Sequence, residues 1–162
     1  MTKQGKQTKT LARNRRAFHN YDVLDQIECG IVLAGTEVCS LRETGCQLRD
    51  SFAVIRRGEV WLNGLHIAPY SHGNINNVDS ERRRKLLLHK KQIRKLAQDV
   101  KERGLTLIPL EIYFNEQGIV KLQLGVCRGK KLYDKRADIA RRDARRDVER
   151  TLKERGQHTT LY

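Results

Sequence analysis

No stretch of this 162-residue chain approaches the roughly 20 consecutive apolar residues that a bilayer-spanning helix requires. The first ten residues are polar and lysine-bearing with no apolar run behind them, so no secretory signal is expected. Four cysteines, Cys29, Cys39, Cys46 and Cys127, form an even set, but nothing else marks a secreted chain. They read as reduced, mostly buried thiols in a cytoplasmic protein. Metal spacing is missing too. Cys39 and Cys46 stand too far apart for a structural zinc pair, and Pro69 and a loop separate His66 from His72. There is no G-x-S-x-G elbow and no evident base beside the nucleophile candidates Ser51 and Cys46. Around Gly125, Gly129, Lys130 and Lys131 the glycine spacing is wrong for a phosphate loop, and no Ser or Thr follows the lysine. The expectation is a protein that is not an enzyme, spans no membrane, and needs no metal or cofactor.

What the chain does have is positive charge, a formal +14 with a pI near 10.0. That excess points to a polyanion, nucleic acid first and an anionic membrane surface second. Residues 1–16 carry six basic side chains and no acidic one, whereas residues 17–81 carry four basic and nine acidic. Residues 82–127 and 128–162 are again strongly basic. A polyanion therefore meets some faces and not others.

The hydrophobic pattern predicts a single domain, residues 11–128, between a flexible basic arm, residues 1–10, and a basic tail, residues 129–162. Tyr21–Cys29 and Ile31–Leu33 read as short strands separated by Gly30, and Thr36 as the N-cap of a short helix that Gly45 stops. Phe52–Ile55 and Val60–Leu62 flank a four-residue loop and predict a hairpin, its second strand running on to Pro69. Residues 71–80 read as a polar loop. The clearest helix covers His89 to Arg103, with Ile93, Leu96, Ala97 and Val100 on one face and Gly104 behind it. Leu105–Phe114 and Ile119–Cys127 predict a second hairpin. Short strands at hairpin spacing with one good helix suggest a mainly β protein with flanking helices, a closed antiparallel β-barrel. In the tail, Ala137, Ala140, Ala144, Val148 and Leu152 fall on helical spacing in a narrow, mostly alanine stripe. Such a segment is expected to be disordered alone and helical against a negatively charged partner.

Two basic clusters stand out. Arg82-Arg83-Arg84-Lys85-Leu86-Leu87-Leu88-His89-Lys90-Lys91 reads as a loop leading into a helix start, where cations oppose the macrodipole by about 0.3–1 kcal/mol each. Phosphate contact is one reason for them; a solvated charge run is the other. Gly129-Lys130-Lys131-Leu132-Tyr133-Asp134-Lys135-Arg136 sets one aromatic among cations, either a base-stacking ring or a merely exposed one.

Arg84 to His89 and Arg128 to Arg136 within these runs, together with Ala12-Arg13-Asn14-Arg15-Arg16-Ala17, Ala34-Gly35-Thr36-Glu37-Val38 with Ser40-Leu41-Arg42, Gly58-Glu59-Val60-Trp61-Leu62 and Gly104-Leu105-Thr106-Leu107-Ile108-Pro109-Leu110, stand in order over roughly residues 11–155. In this the chain resembles the small protein B family of bacterial trans-translation. The resemblance implies an oligonucleotide-binding-type (OB-like) barrel that binds the tRNA-like domain of transfer-messenger RNA and brings it to stalled ribosomes. Asn14, Glu28 and Leu87 match family positions that hold the RNA, with Arg15, Arg16, Arg84, Lys85, Lys90 and Lys91 as further expected contacts. Tyr133 matches the position that stacks in the decoding centre. Gly129, Lys130, Lys131, Asp134, Lys135 and Arg136 match the tail motif, and Arg141, Arg142, Arg145 and Arg146 are expected to line the messenger channel. The implied partners are transfer-messenger RNA and the 70S ribosome with its 16S rRNA, alongside elongation factor Tu, the protein itself acting as a monomer. The family's common Glu-Ala-Gly is Glu28-Cys29-Gly30 here, and Asp79-Ser80 replaces Asp-Pro. The rival readings are a general structured-RNA protein and an RNA-modifying enzyme.

Overall fold

The computed structural model describes residues 8–73, 75, 77–130 and 132–158, the last segment in backbone only at 132–135 and 154–158. The elements run β1 (Lys9–Arg13), α1 (Arg15–Asn20), β2 (Tyr21–Ile31), α2 (Gly35–Glu43), β3 (Cys46–Gln47), β4 (Phe52–Arg56), β5 (Glu59–Asn63), β6 (His66–Ile67), β7 (Arg84–Leu87), α3 (Lys90–Arg103), β8 (Thr106–Phe114), β9 (Val120–Gly129) and α4 (Leu132–His158). The described residues up to Gly129 form one compact unit and those from Lys130 onward another.

Seven strands make one antiparallel sheet in the order β1-β8-β4-β5-β7-β2-β9, and β8 pairs additionally with β9. The ladder thus returns to β8, whose other edge is shared by β1 near Phe114 and by β4 at Leu107. β3 and β6 form a separate two-stranded ladder. Along β5 the burial alternates, with Val60 and Leu62 inward and fully buried. They meet Leu86, Leu96, Ile112, Leu122 and Leu124 in the main core. Each such aliphatic side chain contributes about 1.5–3 kcal/mol on burial. A bulge at Leu110 turns part of β8 the other way, and Ala17 of α1 covers Ile108, Leu110 and Cys127 in a second small core.

Both hairpins stand where expected; the second turns through residues 115–119, one residue longer than expected, and the first more tightly than expected. Arg56 pairs with Glu59, so the first loop is two residues, Arg57 and Gly58, at φ 51 and 71. Positive φ at both central positions is the I′ geometry whose twist suits a hairpin. Helix α3 matches its expectation, with His89 at the N-cap and Gly104 behind.

Other readings are corrected. Ala34, not Thr36, is the N-cap of α2, and the N–H of Ala34 donates to Glu37 Oε1 at 2.9 Å. Gly30 lies inside a continuous β2 rather than between two strands. The strand through Val60 ends at Asn63, because Gly64 adopts φ 82 and sends β6 to pair with β3. The run before His89 contains strand β7 rather than a loop. The arm expected to reach Thr10 gives way to β1 at Lys9, and residues 1–7 lie outside the described residues. In the tail, the helical spacing from Ala137 to Leu152 falls within helix α4. Its alanine, arginine and leucine residues favour helix, and Arg141 pairs with Asp138 one turn away at 3.0 Å. The thiols are all free; Cys29 and Cys127 are buried, Cys39 and Cys46 half-buried.

Candidate nucleic-acid interface

The outward face of β7, β2, β9 and β8 gathers residues far apart in sequence. Gly30 pairs with Leu87 on one side and Lys121 on the other, Glu28 pairs with Gln123, and Tyr113 pairs with Lys121. Cross-strand partners share a face, so Glu28, Leu87, Lys121, Gln123 and Tyr113 all point away from the core. Leu87 is 51% exposed, unusual for leucine, and lies over Gly30: a Cβ added there would stand 3.3 Å from Leu87 Cβ. The glycine leaves room for the Leu87 side chain over β2, on the same face as Glu28.

Glu28 is exposed, and the Tyr113 hydroxyl donates to it. Partial burial, then that carboxylate, push the Tyr113 pKa up, so the phenol stays a donor. The remaining lone pairs of Glu28 face solvent, suited to amino or hydroxyl donors rather than phosphate. Tyr113 and Lys121 were missed in the sequence reading. Their signal was parity: each alternates with a fully buried neighbour, Ile112 or Leu122.

The basic residues divide by burial. Arg84 is fully buried and its Nε donates to Glu37 Oε2 at 2.6 Å, with further bonds to the carbonyls of Leu65, Ser80 and Arg82. The expected RNA contact by Arg84 is therefore corrected: no face of its guanidinium is open. Arg82 shares the same carboxylate. Burial pushes Glu37 up, but the Ala34 N–H and the two guanidiniums outweigh it and leave its pKa below the usual glutamate value. Lys85 pairs with Glu59 at 2.9 Å and stays partly exposed. Lys90 and Lys91 are exposed in the first turn of α3, which holds no acidic residue.

On α1, Arg15 and Arg16 are exposed, Arg16 lying 3.9 Å from Asp50. Asn14 is only 7% exposed. Its amide donates to Pro109 O at 3.0 Å and its carbonyl accepts from Ala17 N at 3.2 Å, capping α1 and fixing it to β8. Asn14 positions the two arginines.

Gly129 ends β9 and the first unit; in the second, Lys130 forms an ion pair with Asp138. Arg136, Arg141, Arg142, Arg145 and Arg146 are exposed, and Arg141, Arg142 and Arg145 surround Asp138. The side chains of Lys131, Tyr133, Asp134 and Lys135 lie outside the described residues.

The family model SmpB protein matches residues 11–154. An SsrA-binding protein of Syntrophomonas wolfei is 54% identical over 157 residues, 97% of this chain and 99% of the relative. One of Syntrophobacter fumaroxidans is 51% identical over 150 residues, 93% and 92% of the two chains. A solved chain described as "tmRNA-SmpB: a journey to the center of the bacterial ribosome" superposes with a TM-score of 0.63 at 52% identity, covering 75% of this chain and 85% of that one.

Proposed function

The chain belongs to the SmpB protein family, and from that premise we propose that it binds the tRNA-like domain of transfer-messenger RNA and delivers it to stalled ribosomes. The observation that carries the reading is the face that Glu28 and Leu87 share on either side of Gly30, which sets a hydrogen-bond acceptor and an apolar side chain near Lys121. Phosphates are met by Arg15, Arg16, Lys85, Lys90 and Lys91, while Glu28 accepts from base or ribose donors and Leu87 packs on a sugar or base. The ring of strand pairings supports reading the sheet as an OB-like barrel.

The partner follows from relatives named for binding SsrA and from a neighbour described with tmRNA and the ribosome. Helix α4 leaves Ile139, Val148 and Leu152 exposed, a narrow apolar stripe that suits ordering against a charged partner. It acts as a segment ordered fully within ribosomal RNA, its arginines lining the messenger channel and Tyr133 stacking in the decoding centre. Elongation factor Tu assists delivery, and the protein works as a cytoplasmic monomer.

Glu28→Ala tests the face. Hydrogen bonds to a charged group contribute about 1.5–3 kcal/mol, so affinity for transfer-messenger RNA falls about tenfold or more. Unchanged affinity would remove Glu28 from the interface.

A further inference from the structure

The outer end of the β4–β5 hairpin holds an open depression lined by Val54, Arg56, Arg57, Glu59, Trp61 and Arg83. Its floor is the cross-strand pair Val54–Trp61. Trp61 alternates with Val60 and Leu62, both fully buried, so its indole faces away from the core. Among the described residues, no hydrogen bond or ion pair engages the guanidiniums of Arg56, Arg57 or Arg83, all exposed. The single carboxylate, Glu59, is held by Lys85 at 2.9 Å. Arg57 sits at φ 51, a left-handed conformation that costs a side-chain-bearing residue about 1–3 kcal/mol and that glycine adopts freely. A charged side chain at a strained turn, beside a half-buried indole that faces outward and two more free cations, suits a ligand that is both anionic and aromatic.

We infer that this depression is a nucleotide-binding subsite for unpaired RNA, the base stacked on Trp61 and the flanking phosphates held by Arg56, Arg57 and Arg83. Base–aromatic stacking contributes about 1–3 kcal/mol per base, and guanidiniums around the ring suit the adjoining phosphates. Trp61 pairs with Lys85, and Lys85 and Leu87 share the outward face of β7, so the subsite continues the Glu28–Leu87 surface. The inference deepens the RNA-binding reading and rests on it.

Trp61 is the only tryptophan in the chain, so its fluorescence reports on this site alone. The full-length protein is titrated with hexa-adenylate and, separately, with heparin, a polyanion without bases. Hexa-adenylate is expected to quench the emission and heparin to leave it nearly unchanged. Arg57→Gly combined with Arg83→Ala should weaken hexa-adenylate binding about tenfold, while the glycine relieves the turn and protects the fold, checked by thermal melting. Glu28→Ala should retain the quench while losing transfer-messenger RNA, so failure of the subsite and failure of the main interface are told apart. No quench at saturating hexa-adenylate, an equal quench by heparin, or an unchanged affinity in the double variant would each overturn the inference.

Discussion

Arg84 and Glu37 show how a basic motif divides between fold and function. A guanidinium with no exposed surface cannot touch RNA, yet removing it leaves a buried carboxylate with only Arg82 as counter-charge and opens a buried void, a loss of up to about 3–5 kcal/mol. Arg84→Ala should therefore lower the urea midpoint steeply, whereas Lys90→Ala and Lys91→Ala should leave it in place. Each lysine that meets a phosphate should instead lower the salt slope of RNA binding by about one, read from affinities across a salt series. Glu37 adds a pH dependence of definite sign. Its folded pKa lies below the ordinary 4.5, so the pair's stabilisation is full above that value and fades as pH falls through the depressed one. Glu37→Gln should flatten this part of the acid limb in denaturation measured across that window. Gly30 is the complementary case. A valine there must push Leu87 aside from a contact already at 3.3 Å, and transfer-messenger RNA affinity should drop several-fold with circular dichroism unchanged.

At the scale of elements, both hairpins and α3 were legible because their signals are local. Gly58 and Gly118 mark turns, and Gly104 follows an apolar stripe of helical period. Strand β7 was not legible, since four basic residues precede its leucines and the carboxylate that neutralises Arg84 lies 47 residues earlier. Strand β1 hides for a similar reason: its polar residues depend on β8, where Thr10 donates to Glu111 at 2.6 Å. The six residues of α1 carry too short a period to read, and Asn14 betrays its cap only with Pro109 in place. Of the candidate interface, the charge and the matched motifs were visible in sequence; the gathering of Glu28, Leu87, Tyr113 and Lys121 on one face needed the register. Helix α4 belongs to a different compact unit. A chain ending at Arg128 should keep cooperative unfolding and RNA affinity in the gel-shift assay while losing ribosome rescue in a tagging assay. Loss of RNA binding on truncation would contradict that separation.

For the whole molecule, the competing accounts are a shaped interface and a simple polycation. A net charge of +14 guarantees some affinity for any RNA, and that part weakens as added salt lowers the entropy gained on counterion release. The face around Gly30 contributes something charge does not, a carboxylate and an aliphatic side chain that suit particular donors and a particular curvature. Selectivity, rather than affinity, therefore separates the accounts. Competition binding at physiological salt measures it most directly, setting labelled transfer-messenger RNA against bulk transfer RNA and an RNA duplex of similar length. The account predicts strong preference for transfer-messenger RNA in the full chain and in the chain ending at Arg128, with the preference lost in Glu28→Ala. Equal displacement by all three RNAs, with affinity collapsing once the tail is removed, would contradict it.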